Sequence, residues 1–303
     1  MTSTFKFQGQ ILEILNKANS VILDKEQVVK LSLCTLISQG HLLIEDIPGM
    51  GKTSLVKTFS KLLGLPTHRI QFTNDMLPAD ILGTSIWNKE KSQFEFHKGP
   101  IFSHFVLADE INRATPKTQS ALLQSMEEGV VSLDGVEHIL PQPFFLVATQ
   151  NPTDNYGTFP LPDSQLDRFL MRIQLGYPSR AAERQLLISP PTQISIENLD
   201  ALLNPSDLLK VFSETQNIHV SDIALDYIQD LVENSRTLSR GLSPRASIDL
   251  LKAGKSWAYI QQRDYMIPED IQEVAAAVMN HRISSSQDSN YELAKEIIQT
   301  TSI

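Results

Sequence analysis

Two textures of hydrophobic patterning divide the chain. Up to Gln39 the apolar residues recur at helical spacing. Roughly Gln8 to Asn19 reads as one helix and Lys25 to Gln39 as a second, with Val28, Val29, Leu31, Leu33, Leu36 and Ile37 on its apolar face. Beyond Gly40, short apolar runs alternate with helix-period segments. The runs are HLLI, HRIQF, HFVLAD, FFLVATQ and FLMRIQL. A helix over Lys52 to Leu63 follows the first of them, and another is opened by Thr115 and Pro116 and closed by Gly129. Short apolar strands alternating with helices predict an α/β fold with a parallel sheet covered on both faces.

Two stretches interrupt the plan. Gly83 to Gly99 alternates around Phe94 and Phe96, and Val130 to Leu140 carries Asp134-Gly135 between alternating residues, so both predict β-hairpins. After Ile188, the prolines and polar residues of SPPTQISIENLDALLNPSD mark a linker. The remainder reads as helices over Leu208 to Glu214, Ser221 to Arg236, Pro244 to Gln261 and Pro268 to Ile283. The expected organisation is an α/β domain over 1–190, a linker over 191–206, a small all-helical domain over 207–283 and a polar tail over 284–303.

Composition narrows the function. At 303 residues with 41% hydrophobic and 20% charged, the chain has the balance of an ordinary globular protein. No run of about 18 apolar residues spans a bilayer and the start lacks a secretory plan, so no membrane span and a cytoplasmic location are expected. The lone Cys34 excludes an internal disulfide and lies in an apolar helical pattern, and the seven histidines lack metal-ligand spacing. A net charge of −9 argues against nucleic acid as a partner, because that binding rests on phosphate neutralisation.

The candidate chemistry begins at LLIEDIPGMGKTSLVKTFSKLLG, a strand, a glycine turn and a helix that opens on Lys52-Thr53. Backbone N–H groups of such a loop wrap phosphates, and the lysine reaches the β- and γ-phosphates. The usual pattern requires glycine at position 46, where this chain has Asp46. Gly49 and Gly51 flank Met50, where the backbone must approach a ligand closely. Further on, Asp109-Glu110 ends an apolar strand, where a parallel sheet delivers side chains to the crevice at its carboxyl edge. Asp109 can hold Mg²⁺ beside the Thr53 hydroxyl, and Glu110 can orient or deprotonate a water. Asn151 ends another strand, Arg168 follows a short helix and Arg245 opens a later one. Taken singly, these three residues read more simply as a turn amide and surface charges.

Taken in order, GMGKT, LADEINRA, TQNP, LDRF and GLSPRA resemble the MoxR family of AAA+ ATPases, in the helix-2-insert group, over roughly residues 10 to 283. The resemblance implies a P-loop NTPase three-layer core with a helical lid, which binds ATP and Mg²⁺ and hydrolyses the γ-phosphate. Lys52 and Thr53 would form Walker A, within a nucleotide-binding loop of Asp46, Pro48, Gly49, Met50, Gly51 and Ser54. Asp109 and Glu110 would form Walker B, with Thr53 and Asp109 as metal ligands. Asn151 would be sensor 1, Arg168 an arginine finger for the neighbouring subunit and Arg245 sensor 2. An acidic residue at position 46 is common in that family. Asp163 and Leu242 stand where Glu and Ala are usual, away from the chemistry. The likeness further implies a homo-oligomeric ring, most simply a hexamer, with both hairpins facing its pore. Its role would be chaperone-like remodelling of a client protein, which in some cases bears a von Willebrand factor A domain. A helicase-like nucleic-acid motor and a chelatase-type subunit for metal insertion share these motifs and remain alternatives.

Overall fold

Alternate residues of the central strands turn to opposite faces, as the two-residue strand period requires. Leu42, Ile44, Phe105, Leu107, Phe145, Val147, Met171 and Ile173 enter one core, whereas Leu43, Val106, Ala108, Leu146 and Ala148 enter another. In the computed structural model, which describes residues 5–152, 157–188, 196–238, 241–283 and 291–302, these strands form one parallel sheet. Its members are β1 (Leu42–Glu45), β2 (Thr67–Gln71), β5 (Phe105–Asp109), β8 (Phe145–Gln150) and β9 (Met171–Ile173), in the order β2-β5-β8-β1-β9. The parallel sheet expected from the alternation is therefore present, in the arrangement that the resemblance implies.

On the first face lie α1 (Gln8–Val21), α2 (Glu26–Ile37) and α3 (Lys52–Leu62). On the second lie α4 (Pro78–Leu82) and α5 (Pro116–Glu128), whose Thr115 caps the helix by accepting from the Thr118 amide and whose Gly129 ends it at φ 69°. The hairpins are β3 (Gly83–Asn88) with β4 (Gln93–Lys98), and β6 (Val130–Leu133) with β7 (Val136–Ile139), both antiparallel. They touch through Phe96 stacked on His138 at 3.9 Å and through Ser85 donating to Asp134 at 2.8 Å. Ile86, Trp87, Phe94, Val136 and Ile139 on them stay exposed.

Two expectations about organisation need correcting. After α6 (Asp163–Leu166) and α7 (Arg180–Ile188), the lid comprises α8 (Pro205–Gln216), α9 (Asp222–Leu238), α10 (Pro244–Ile260) and α11 (Pro268–Ile283). It shares one continuous core with α1, α2 and α3. Cys34 Sγ donates to the Ala253 carbonyl at 3.3 Å and Ser38 Oγ to Ser256 Oγ at 2.7 Å, so no packing boundary falls near 190. Within the expected polar tail, α12 (Tyr291–Thr300) is a helix that buries Ala294 and Ile297 against the lid. Its polar residues lie on the outer face, which is why the segment reads as a tail. Residues 189–190 at the end of the first expected domain, 191–195 of the linker, and 284–290 and 303 of the tail lie outside the described residues. No described helix is long and apolar enough to cross a membrane.

Candidate active site

The loop between β1 and α3 has the form that phosphate binding demands. Gly49 and Gly51 both adopt φ 90°, a left-handed region open to glycine at little steric cost, and Gly51 caps α3. A Cβ built on Gly49 would meet nothing within 4 Å, so the curve of backbone opens onto space. Pro48 is exposed at the turn, Met50 packs against the core from above, and Lys52, Thr53 and Ser54 form the half-buried first turn of α3. Lys52 Nζ donates to the Asp46 carbonyl at 2.7 Å. Partial burial lowers the Lys52 pKa, against the opposing pull of the Asp109, Asp46 and Glu110 carboxylates.

Asp46 differs from its expected place in the cradle. Its buried carboxylate accepts from the backbone amides of Leu175 and Gly176, the latter at 3.2 Å, so it is turned to the chain leaving β9. The aspartate is thus built into the base of the loop.

At the ends of β5 and β8, a residue that motif reading passed over organises the acids. Ala108 pairs with Ala148, which brings Asp109 beside Thr149. The fully buried Thr149 Oγ1 donates to Asp109 Oδ1 at 2.6 Å and accepts from the Glu110 amide at 2.9 Å. Glu110 sits at φ 58°, ψ 48°, a left-handed conformation that costs a non-glycine residue on the order of 1–3 kcal/mol at functional sites. Arg113 holds its carboxylate at 2.9 Å. Asp109 Oδ2 is held by Arg69 of β2, at 2.6 Å to Nη2, through a guanidinium more than half exposed. Asn151 follows β8, and its carbonyl accepts from Asn112 Nδ2 at 3.4 Å. Lys52, Asp109, Glu110 and Asn151 all lie at the carboxyl edge of the sheet.

The two arginines do not join them. Arg168 donates to the Leu123 carbonyl at 3.0 Å and pairs with Glu127 Oε2 at 3.0 Å, while Arg245 pairs with Glu127 Oε1. Glu127 lies in the last turn of α5, and the neighbouring Met126 backbone bonds to His41, the residue that precedes β1. That is the amino edge of the sheet. The four residues of β1 separate it from the P-loop by roughly 13 Å at about 3.3 Å per residue. Neither arginine reaches the phosphate loop of its own chain.

A parallel sheet with a glycine phosphate loop, paired acids on the neighbouring strand and a helical lid defines a P-loop ATPase of the AAA+ class. Residues 41–171 match the ATPase family associated with various cellular activities (AAA), and residues 233–301 match the AAA lid domain. Over 293 residues the chain is 43% identical to YeaC of Bacillus subtilis (strain 168), covering 94% of this chain and 92% of that protein. It is 39% identical to Chaperone MoxR1 of Mycobacterium tuberculosis, covering 91% and 75%. The crystal structure of a putative ATPase from Cytophaga hutchinsonii superposes with a TM-score of 0.85 at 34% identity, over 98% of this chain and 95% of that one. The chain belongs to the MoxR family of AAA+ ATPases. It is a nucleotide-binding ATPase.

Proposed function

We propose that ATP bound at the carboxyl edge of one subunit is hydrolysed only when the amino edge of a second copy supplies Arg168 and Arg245. The observation that carries this reading is their shared attachment to Glu127, across the sheet from Lys52. A surface ion pair is typically worth about 0–1 kcal/mol, so exchanging this carboxylate for a γ-phosphate costs little. Two guanidiniums can then neutralise charge spread over the γ-oxygens.

On the acceptor side, the amides around Gly49 and Gly51 wrap the phosphates and Lys52 leaves the Asp46 carbonyl for them. Glu110, freed from Arg113, orients the attacking water and takes its proton, and Asn151 helps place that water. The donor set suits Mg²⁺, which favours hard oxygens from one or two residues together with substrate phosphates. No cluster of three or more acidic, His or Cys ligands exists among the described residues. Thr53 and Asp109 would hold the ion, with Thr149 fixing the carboxylate as the exposed Arg69 swings clear. When bound, the ion neutralises charge on the β- and γ-oxygens.

The work driven is chaperone-like remodelling of a client protein by a ring, hexameric by family likeness, in the cytoplasm. The printed name of the mycobacterial relative and the exposed aromatic hairpins support this reading. A client bearing a von Willebrand factor A domain fits the family, and the net charge of −9 weighs against nucleic acid. Mixing inactive Glu110→Gln subunits with inactive Arg168→Ala subunits tests the trans arrangement. Each lacks a different half of the site, so activity should return, given that an arginine finger is worth about 10³-fold or more. A mixture as inactive as its parents, or full wild-type turnover by monomers, overturns it.

A further inference from the structure

Asp46 touches more of the nucleotide site than any phosphate-loop role requires. Its amide donates to the Gln150 carbonyl at 3.2 Å, at the end of the strand that leads to Asn151. Its own carbonyl takes Lys52 Nζ at 2.7 Å, and its carboxylate takes the amides of Leu175 and Gly176. The Leu175 side chain lies beneath the loop, its Cδ2 3.9 Å from where a Cβ of Gly51 would stand. One buried aspartate therefore ties the P-loop lysine, the sensor strand and the exit of β9 together.

The other attachments of β9 give that clasp its reach. Within this three-residue strand, the buried Arg172 pairs with Glu45 at 3.4 Å and donates to Asn280 Oδ1 of α11 at 3.0 Å. The Asn280 amide returns a bond to the Arg172 carbonyl at 3.2 Å. Just before the strand, Arg282 of α11 bonds Asp167 at 2.8 Å and the Phe169 carbonyl at 3.0 Å, on either side of Arg168. The strand is gripped at its carboxyl end by Asp46, in its middle by the lid, and at its amino end it carries the arginine face.

We propose that Asp46 is a positioning residue that joins the nucleotide site of a subunit to the arginine face the same subunit offers its neighbour. It does so by clasping the Leu175–Gly176 amides and so fixing β9. The proposal rests on the trans reading above. A carboxylate holds two converging N–H groups more strongly than a neutral oxygen does, which gives an acidic residue a use where the common pattern has glycine. Asp46→Gly, which restores that pattern letter for letter, removes the clasp.

The test separates the two faces of one subunit. In the mixture of Glu110→Gln with Arg168→Ala subunits, the first provides only arginines and the second only a working crevice. Asp46→Gly is added to the Glu110→Gln subunit, whose own crevice is already silent, and its incorporation is verified by pull-down of a tag. Rescue should fall about tenfold or more, as a displaced catalytic group predicts. Asp46→Asn, which keeps one acceptor oxygen and guards against misfolding of the glycine variant, should give intermediate rescue. Unchanged rescue by both Asp46 variants overturns the proposal while leaving the trans reading intact. Absence of rescue before any change at Asp46 overturns the trans reading, and the proposal with it.

Discussion

Arg168 and Arg245 come from different parts of the chain, one before β9 and one at the start of α10, yet they close on the two oxygens of a single carboxylate, that of Glu127. Without it Arg168 would keep the Leu123 carbonyl at 3.0 Å and Arg245 the more distant Asp167 carboxylate at 4.0 Å. Glu127→Ala should therefore loosen both guanidiniums and slow ring turnover by about 10- to 100-fold, the scale of an angstrom-sized misplacement. Nucleotide affinity of isolated subunits should stay unchanged, because the crevice lies at the other edge. Steady-state kinetics with calorimetry checks this, and a variant with wild-type kcat refutes a role for Glu127.

Thr149 carries a second prediction. Thr149→Val is nearly isosteric but leaves Asp109 Oδ1 and the Glu110 amide without the hydroxyl they share. Loss of a buried bond to a charged group costs about 1–3 kcal/mol of stability. Outer-shell partners of metal ligands typically contribute about 10- to 100-fold, so turnover and apparent Mg²⁺ affinity should both weaken on that scale. Thr149→Ser should restore them. If valine leaves the Mg²⁺ titration unmoved, the hydroxyl does not orient Asp109.

Much of this was legible in advance, and the residues show where legibility ends. The alternation of Leu42, Leu43 and Ile44 announces a strand buried on both faces, and the Gly49-to-Thr53 turn announces the phosphate loop, because both signals are local. Glu127 carries no local signal: in QSMEEG it looks like half of a solvated acidic pair, and only the fold brings two arginines to it. Thr149 reads as one more β-former in an apolar run until the register sets it against Asp109. The periodicity of α2 reveals an apolar face but not its occupant, so the core it shares with the lid is not legible in the sequence. Asp46 stands out as a departure from a pattern, but the amides it binds follow the neighbouring strand β9 and lie 129 and 130 residues further along the chain.

A pH dependence follows from His41. Its ring Nδ1 accepts from the Leu146 amide at 3.1 Å, which requires the neutral form, and burial lowers its pKa from 6.5 to about 4. Between those values the unfolded chain binds a proton that the fold refuses. The contribution is thus fully present above pH 6.5 and is lost as pH falls towards 4, up to about 3 kcal/mol. The buried His281, lowered well below its ordinary value first by burial, acts in the same direction. Melting temperatures from pH 7.5 to 4.5 should fall for the wild type and fall less for His41→Gln, whose amide oxygen can accept the same bond. Parallel curves would exclude His41 as the source.

Placing the phosphate loop and the arginine pair at opposite edges of one sheet also dictates how copies can meet. A two-fold contact joins a patch to itself, but here a donor patch must meet a different, acceptor patch, so on the proposed reading the contact is heterologous. Any open chain of subunits then wastes one crevice at one end and one arginine pair at the other. Only rotation that closes on itself leaves none idle, and failure to close produces a filament. The arrangement also has a sense of direction. On that reading every subunit completes the site of one neighbour and depends on the other for its own, so the assembly has a polarity that a two-fold contact would cancel.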